Sequence, residues 1–301
     1  MDFRKLECFF AVAEDLHFGR AAERLGIAQS SLSESIKAIE RYIGGPLFHR
    51  TSRRVSLTPL GEALRDGGQA AFIALDATLR DCRALAFGKP RRLRFGFLGG
   101  GLYELHQPFV ASLEAIRPTV EIEFVELSFE NHFVGVQQGA VDVAFCRLPL
   151  GAPGLVHGPV LMADTRMLCV PEGHHLLGVA PLDAESLGGE TLVSLVPGVT
   201  SQEWLDFHLP VHTPRGVPIN RGREVRTLRE AMTTVAAGQG LMILTKRAAS
   251  YYATPGISFI EIDMPPICSA LVWRREDRRP IVGKVDALLT DLARVHCPSA
   301  L

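Results

Sequence analysis

Cysteine is scarce and scattered. Cys8, Cys82, Cys146, Cys169, Cys268 and Cys297 form no Cys-x-x-Cys pair and no matching histidine spacing, so neither a zinc site nor a disulfide framework is indicated, and free buried thiols are expected. Long apolar runs are missing too. No stretch approaches the ~20 apolar residues of a membrane span, and Asp2, Arg4 and Lys5 precede a broken apolar segment with no signal-peptide core, which places the chain in the cytoplasm. There is little net charge, −1 in formal terms, so any basic surface has to be local. Cofactor and catalytic signatures are absent as well: no Gly-Lys-Ser/Thr, no third glycine of a dinucleotide fingerprint, no Gly-x-Ser-x-Gly elbow. What is present is 301 residues with 47% hydrophobic content, enough for two or three folded units.

Residues 18–54, FGRAAERLGIAQSSLSESIKAIERYIGGPLFHRTSRR, supply a local basic surface. Ala21, Ala22 and Leu25 give a short helix one apolar face, and Gly26 stands where a left-handed cap reverses the chain within a few positions. So short a turn sets two helices at a steep angle. A second helix opens near Gln29 or Ser30, and Leu32, Ile36, Ile39 and Ile43 repeat along it on one inward stripe. Its other face carries Gln29, Ser30, Ser33, Glu34 and Lys37, short polar groups and a cation that suit base edges and phosphates in a major groove. Residues 47–57 then alternate around a polar tip, a two-stranded wing with Arg50, Arg53 and Arg54 for phosphates or a minor groove. Between Gln29 and Ser56, five cations face two anions.

The stretch from Met1 to about Leu64, with LHFGRAAERLGIAQ, the Leu-Ser-x-x-Ile-Lys spacing and LFHRTSRRVSLTPLGE, resembles the winged helix-turn-helix of LysR-type transcriptional regulators. The resemblance implies an all-α winged helix-turn-helix (1–58), a linker and dimerisation helix (59–90) and an α/β, two-lobed, periplasmic-binding-protein-like effector domain (91–301). Lobe I would take about 91–162 and 265–301, and lobe II about 163–264. The DNA-facing set is then Arg20, Gln29, Ser30, Ser31, Ser33, Glu34, Lys37, Arg50, Arg53 and Arg54. Such proteins often have a cation and Gln after the Leu-Ser pair, where this chain has Glu34 and Ser35. A carboxylate there either accepts from cytosine N4 or repels phosphate. The implied partners are double-stranded DNA at an interrupted palindrome, a small-molecule effector, a second copy or a tetramer of this chain, and RNA polymerase; no cofactor, metal, membrane or catalysis is implied.

Thr58-Pro59 starts the linker helix as cap and first residue, and Gly88-Lys89-Pro90 ends it. Phe72, Leu75, Leu79, Cys82 and Ala86 repeat along it as a stripe for a partner helix or for this chain's own C-terminal part. Beyond it, strands at 93–98, 120–127 and 141–145 alternate with helices at 102–116 and 130–138, a pattern of a parallel open sheet. Strands at 166–170, 191–195, 241–244 and 269–273, and helices at 201–208, 227–237 and 281–295, complete two lobes.

Ligands of such sheets sit beyond strand ends, beside helix N-termini. Gly99, Gly100, Gly101 and Leu102 lie at the first such point, as a tight turn or a ligand cradle. Ser128 and Phe129, Arg147, Pro197 and Thr200, and Thr227 lie at the others. Arg147 offers a fork for a carboxylate or an ion pair at the lobe edge. Two rival functions remain: a metabolite-binding protein or enzyme with an incidental helical N-terminus, and redox sensing through Cys146. His174-His175 reads as a turn opening a helix, since adjacent side chains on a loop rarely converge on one ion. Ser194, Asp206 and His208 lack the setting of a triad, and residues 274–279 read as a solvated charged loop.

Overall fold

The computed structural model describes residues 2–50, 55–88, 91–116, 120–129, 132–179, 181–195 and 200–297. The chain divides into two compact units, Met1–Arg80 and Asp81–Leu301. The first contains α1 (Phe3–Asp15), α2 (Phe18–Leu25), α3 (Gln29–Ile43), β1 (Phe48–Arg50), β2 (Val55–Leu57) and most of α4 (Pro59–Ala86). Asp2 caps α1 by accepting the Arg4 N–H, and Gly26 (φ 64) and Gly44 (φ 91) end α2 and α3 in the left-handed region. Phe9, Val12, Ala21, Leu32, Ile36, Ile39 and Leu47 form the core, so the inward stripe of α3 is filled by α1 and α2. The wing pairs Phe48 with Leu57 and Arg50 with Val55; its tip, including Arg53 and Arg54, lies outside the described residues. Thr58 Oγ1 accepts the Gly61 N–H at 3.1 Å and donates to Pro46 O at 2.7 Å, which locks wing to linker. A side chain at Gly61 would strike the Leu47 carbonyl, so only glycine fits there.

The second unit contains β3 (Arg91–Leu98), α5 (His106–Ile116), β4 (Val120–Leu127), α6 (Val134–Gln137), β5 (Val143–Arg147), β6 (Leu155–Pro171), β7 (Leu182–Asp183), β8 (Thr191–Leu195), α7 (Gln202–His208), β9 (Asn220–Val225), α8 (Leu228–Ala236), β10 (Met242–Thr245), α9 (Lys246–Tyr251), β11 (Ile257–Arg274) and α10 (Pro280–His296). The main sheet runs β10-β6-β11-β5-β3-β4, with β7 beside β11. Strands β5, β3 and β4 are parallel to one another and short β7 runs parallel to β11, but the β10-β6, β6-β11 and β11-β5 pairs are antiparallel, so the sheet is mixed and not the parallel one expected. The expected strands at 166–170 and 269–273 are ends of β6 and β11, which span 17 and 18 residues and pair along most of their length. Prolines in both hide this continuity. Where β11 shifts register between Ile262 and Ile267, the Pro265 carbonyl is taken by the buried Arg166 Nε at 2.7 Å.

Three further expectations change. The helix placed at 102–116 begins at His106, after a 3-10 turn at Tyr103–Leu105, and the one placed at 130–138 is reduced to α6. Strand β9, pairing with β8, was not expected. The charged run at 274–279 is only partly a solvated loop: Arg275, Glu276 and Arg278 are exposed, but Arg274 is buried, donating to Val136 O and Val141 O, while Arg279 joins Asp277 to Asp142. Burial opposes ionisation of Asp277, but Arg279 beside it holds the carboxyl below its ordinary value.

Candidate functional site

On α3, Gln29, Ser30, Ser31, Glu34 and Lys37 are exposed on the face opposite the core, and Ser33 is half-buried. Lys37 Nζ meets Glu34 Oε1 at 3.6 Å, so the unexpected carboxylate sits against the cation of the same face. Two of the expected DNA-facing arginines have internal partners. Arg20 donates to Asp15 O at 2.6 Å. Arg50 pairs with Glu40 at 3.0 Å and lies over the Phe18 ring, 4.6 Å from its centroid, while the same Glu40 accepts the Leu47 N–H. Arg50 thus fastens the wing to the helices. Along α4, Phe72 turns to its own chain and stacks on Phe3, with ring centroids 4.6 Å apart. Leu75, Leu79 and Cys82 are exposed.

In the second unit, Arg147 closes β5 and is 7% exposed. Its carbonyl accepts Trp204 Nε1 at 3.0 Å, but its Nη2 has no hydrogen-bond partner. Thr200 Oγ1 and His132 Nε2 are likewise buried without partners. Around this guanidinium stand His132, His208 and Arg166. Burial, reinforced by Arg147, drives His132 down to about 4 and His208 well below its ordinary value, so both are neutral at pH 7. Burial also lowers Arg166, to about 10, which leaves it cationic. Two buried cations thus lie together, with neutral histidines and unsatisfied donors. Asp164, the carboxylate nearby, is tied to Arg247, which also holds Glu104.

The other expected effector residues fall around this cluster unevenly. Gly99 faces Leu228 and Tyr252 Oη, and Tyr252 in turn feels the charge of Arg147. Gly99, Gly100, Gly101 and Leu102 line a cavity of about 390 Å³ walled by aromatics, among them Phe97, Tyr103, Phe124 and Tyr251. Gly99 (φ 66) and Gly101 (φ 69) adopt left-handed backbone, and a Cβ at Gly100 would lie 2.5 Å from the Tyr103 ring, so all three glycines are sterically required. Ser128 is half-buried, and the Phe129 N–H donates to Arg226 O at 3.1 Å while its ring lies in the core. Thr227 spends its hydroxyl on capping α8. Pro197 lies outside the described residues. His132, Arg166, Trp204 and the aromatic walls were not singled out from the sequence; only the alternation of Phe95 and Phe97 on β3 hinted at them. Cys146 does not have the chemistry of a sensor: burial pushes its thiol up to about 12, so the reactive thiolate is absent near neutral pH. Nor does a triad form, since His208 Nε2 faces Leu148 O and Asp206 accepts Gln202.

An exposed polar helix in a winged three-helix unit, followed by an α/β unit with an aromatic-walled cavity and a buried cluster of cations, fits a ligand-responsive DNA-binding regulator. Residues 3–62 match the bacterial regulatory helix-turn-helix proteins of the lysR family, and residues 88–294 match the LysR substrate binding domain. The chain belongs to the LysR family, as a DNA-binding transcriptional regulator with a small-molecule effector domain. It is 33% identical to the HTH-type transcriptional regulator IlvR of Caulobacter vibrioides, over 97% of this chain and 98% of that protein. With AlsR of Bacillus subtilis it shares 26% identity over 94% and 93%. Among solved structures it is similar to a cysteine-to-aspartate variant of full-length OxyR from Pseudomonas aeruginosa (TM-score 0.61, 25% identity, 98% and 95% covered). CbnR, a LysR family transcriptional regulator, shares the fold at TM-score 0.64 and 21% identity, with 97% and 99% covered. No described helix is long and apolar enough to cross a membrane.

Proposed function

We propose that the effector is a small organic acid whose carboxylate is held by Arg147, with Thr200 as a hydroxyl partner and the aromatic walls beside Gly99–Gly101 taking its apolar part. The observation that carries this is the buried Nη2 of Arg147, which has no hydrogen-bond partner; the Thr200 hydroxyl is buried and unpartnered as well. A buried guanidinium without a counter-charge is costly, and an incoming carboxylate supplies two charge-assisted bonds at once. Calorimetric titration of the full chain against a panel of aromatic and aliphatic carboxylates and their amides tests it. Acids should bind and amides should not, and Arg147→Met should weaken a hit by about a hundredfold, in line with the loss of a charged hydrogen bond. Amides that bind as well as acids, or a hit indifferent to Arg147→Met, would refute the assignment.

In this reading α3 enters the major groove through Gln29, Ser30, Ser31 and Ser33, with Lys37 on phosphate, and Leu75, Leu79 and Cys82 meet the α4 of a second copy so that two α3 helices address an interrupted palindrome. The exposure of that stripe supports it. Leu79→Asp should yield a smaller species by sedimentation at micromolar concentration; a wild-type chain that is already monomeric there would refute the pairing. The protein acts in the cytoplasm, binding its effector without turnover.

A further inference from the structure

We infer that His174, His175 and Glu190 form a binding site for a borderline divalent transition metal, with zinc as the reference ion. In the sequence the nearest acid is Glu172, whose carboxylate accepts the Gly256 N–H at 3.3 Å; the fold brings in a different one, the residue just before β8, to face the turn that follows β6. Each histidine addresses its own oxygen of one carboxylate: His175 Nε2 stands 2.9 Å from Glu190 Oε1, and His174 Nε2 stands 3.7 Å from Oε2. Among the described residues this is the only set of three such groups whose ligand atoms all lie within 4.8 Å of one another. A tetrahedral zinc ion with N and O ligands at about 2.0–2.1 Å sets its ligands about 3.3 Å apart, between the two separations observed.

Adjacent histidines on a loop usually diverge, but here the rings lie 4.4 Å apart at 33° and each offers a nitrogen within 4.8 Å of the other's and of the carboxylate. The frame is fixed on each side. Gly173 (φ 77) makes the turn and His174 caps the short helix at His175–Gly178. Glu190 is anchored by its N–H to Leu187 O and by its carbonyl from Asn220. His174 and Glu190 are each 16% exposed and act as the rigid pair, whereas His175, at 68%, leaves an entry path. Two imidazoles and one carboxylate select zinc, nickel, cobalt or copper over magnesium or calcium, and leave a fourth position for water. Binding has one evident cost. His174 Nδ1 accepts the Leu176 N–H at 3.4 Å, and ligation through Nε2 moves the ring proton to Nδ1, so this long contact is given up. The ion would brace the turn after β6 against the start of β8.

The test is titration of the full-length protein with zinc chloride against a chromophoric chelator, in parallel with His175→Ala and Glu190→Gln. Neither substitution disturbs the core, and far-ultraviolet circular dichroism of both variants checks their fold. Wild type should bind one zinc equivalent more tightly than either variant, with affinity falling at least about tenfold in each, and zinc should raise the melting temperature of wild type alone. X-ray absorption of the zinc-loaded protein should show nitrogen and oxygen ligands without sulfur. Equal zinc stoichiometry and affinity in all three proteins, or a sulfur-bearing first shell, would overturn the proposal.

Discussion

On α3 the groups assigned to DNA are side chains of a single helix, exposed and in contact with little but each other, whereas the polar atoms around Arg147 come from β5, α7, the ends of neighbouring strands and the loop at 132, and are buried. The exposed face is solvated before its partner arrives, so each contact it makes exchanges water for DNA and contributes modestly. The buried cluster has already lost its water. Its unsatisfied polar atoms and its two cations, whose neighbouring carboxylate Asp164 is already tied to Arg247, make binding favourable for one charge type and make the empty state fragile. The same contrast orders the expected effects of substitution, with buried groups first.

The largest effect should come from Asp142, which is 2% exposed. Its carboxylate accepts the Arg94 N–H at 2.7 Å and Arg279 Nη2 at 2.8 Å, and it lies near Arg274. Asp142→Ala removes one of the two carboxylates that Arg274 and Arg279 share, leaving Asp277 alone with them and the Arg94 N–H without its acceptor, at a cost of up to about 3–5 kcal/mol. Urea unfolding of the second unit should register that loss while DNA binding of the folded protein at low temperature is retained. A loss under about 1 kcal/mol would show that burial does not dominate here.

Acid should act next. His132 has an ordinary value of 6.5 and is held at about 4 by burial, so above pH 6.5 it is neutral both folded and unfolded and its site is undisturbed. As pH falls from 6.5 toward 4, the unfolded chain takes up a proton that the folded one refuses, and stability drops by up to about 3 kcal/mol. His208 is lowered in the same sense and adds to the loss. Comparing the pH dependence of unfolding with that of His132→Gln isolates the effect: the variant should lose about one proton's worth of slope in this window. Parallel slopes would mean that His132 titrates normally.

On the exposed side, Gln29→Ala or Ser33→Ala should cost about 1–3 kcal/mol on a cognate site and little on random DNA. Equal losses on both DNAs would remove these residues from base reading and weaken the contrast between the units.

How far each site was legible follows from the same difference. The apolar stripe of α3, the Gly26 cap and the Thr58-Pro59 start of α4 are local patterns, and the structure has all three. The turn at Gly99–Gly101 and the cation at Arg147 could be read from their places after strands. Their surroundings could not, because Trp204 reaches Arg147 from 57 positions away and Arg279 reaches Asp142 from 137. Sequence proximity misled at two points: residues 274–279 looked solvated, and His174-His175 looked partnerless, when the partners Asp142 and Glu190 lie elsewhere in the chain. Prolines concealed the long strands β6 and β11, since the register shift that accommodates them in β11 is a property of the pair and not of either strand.

The smallest expected effect separates two roles for Glu34. Its pair with Lys37 is exposed, at 71% and 60%, and such i,i+3 contacts contribute about 0.3–0.5 kcal/mol. A carboxylate on a helix face near phosphates both repels them and occupies the cation that would bind them. Glu34→Gln keeps the shape and removes the charge, so affinity for cognate and random DNA alike should rise a few-fold at low salt, and the salt slope should steepen by about one unit as Lys37 gains a phosphate. Base reading predicts the opposite: a carboxylate accepting from cytosine N4 would make Glu34→Gln cost about 1–3 kcal/mol on the cognate site, with relaxed preference at one base pair and no gain on random DNA. Binding isotherms on both DNAs across a salt series decide between them. Because Glu34 already faces Lys37 in the folded protein, the uniform gain is the outcome expected, and a cognate-specific loss would transfer Glu34 to the base-reading set.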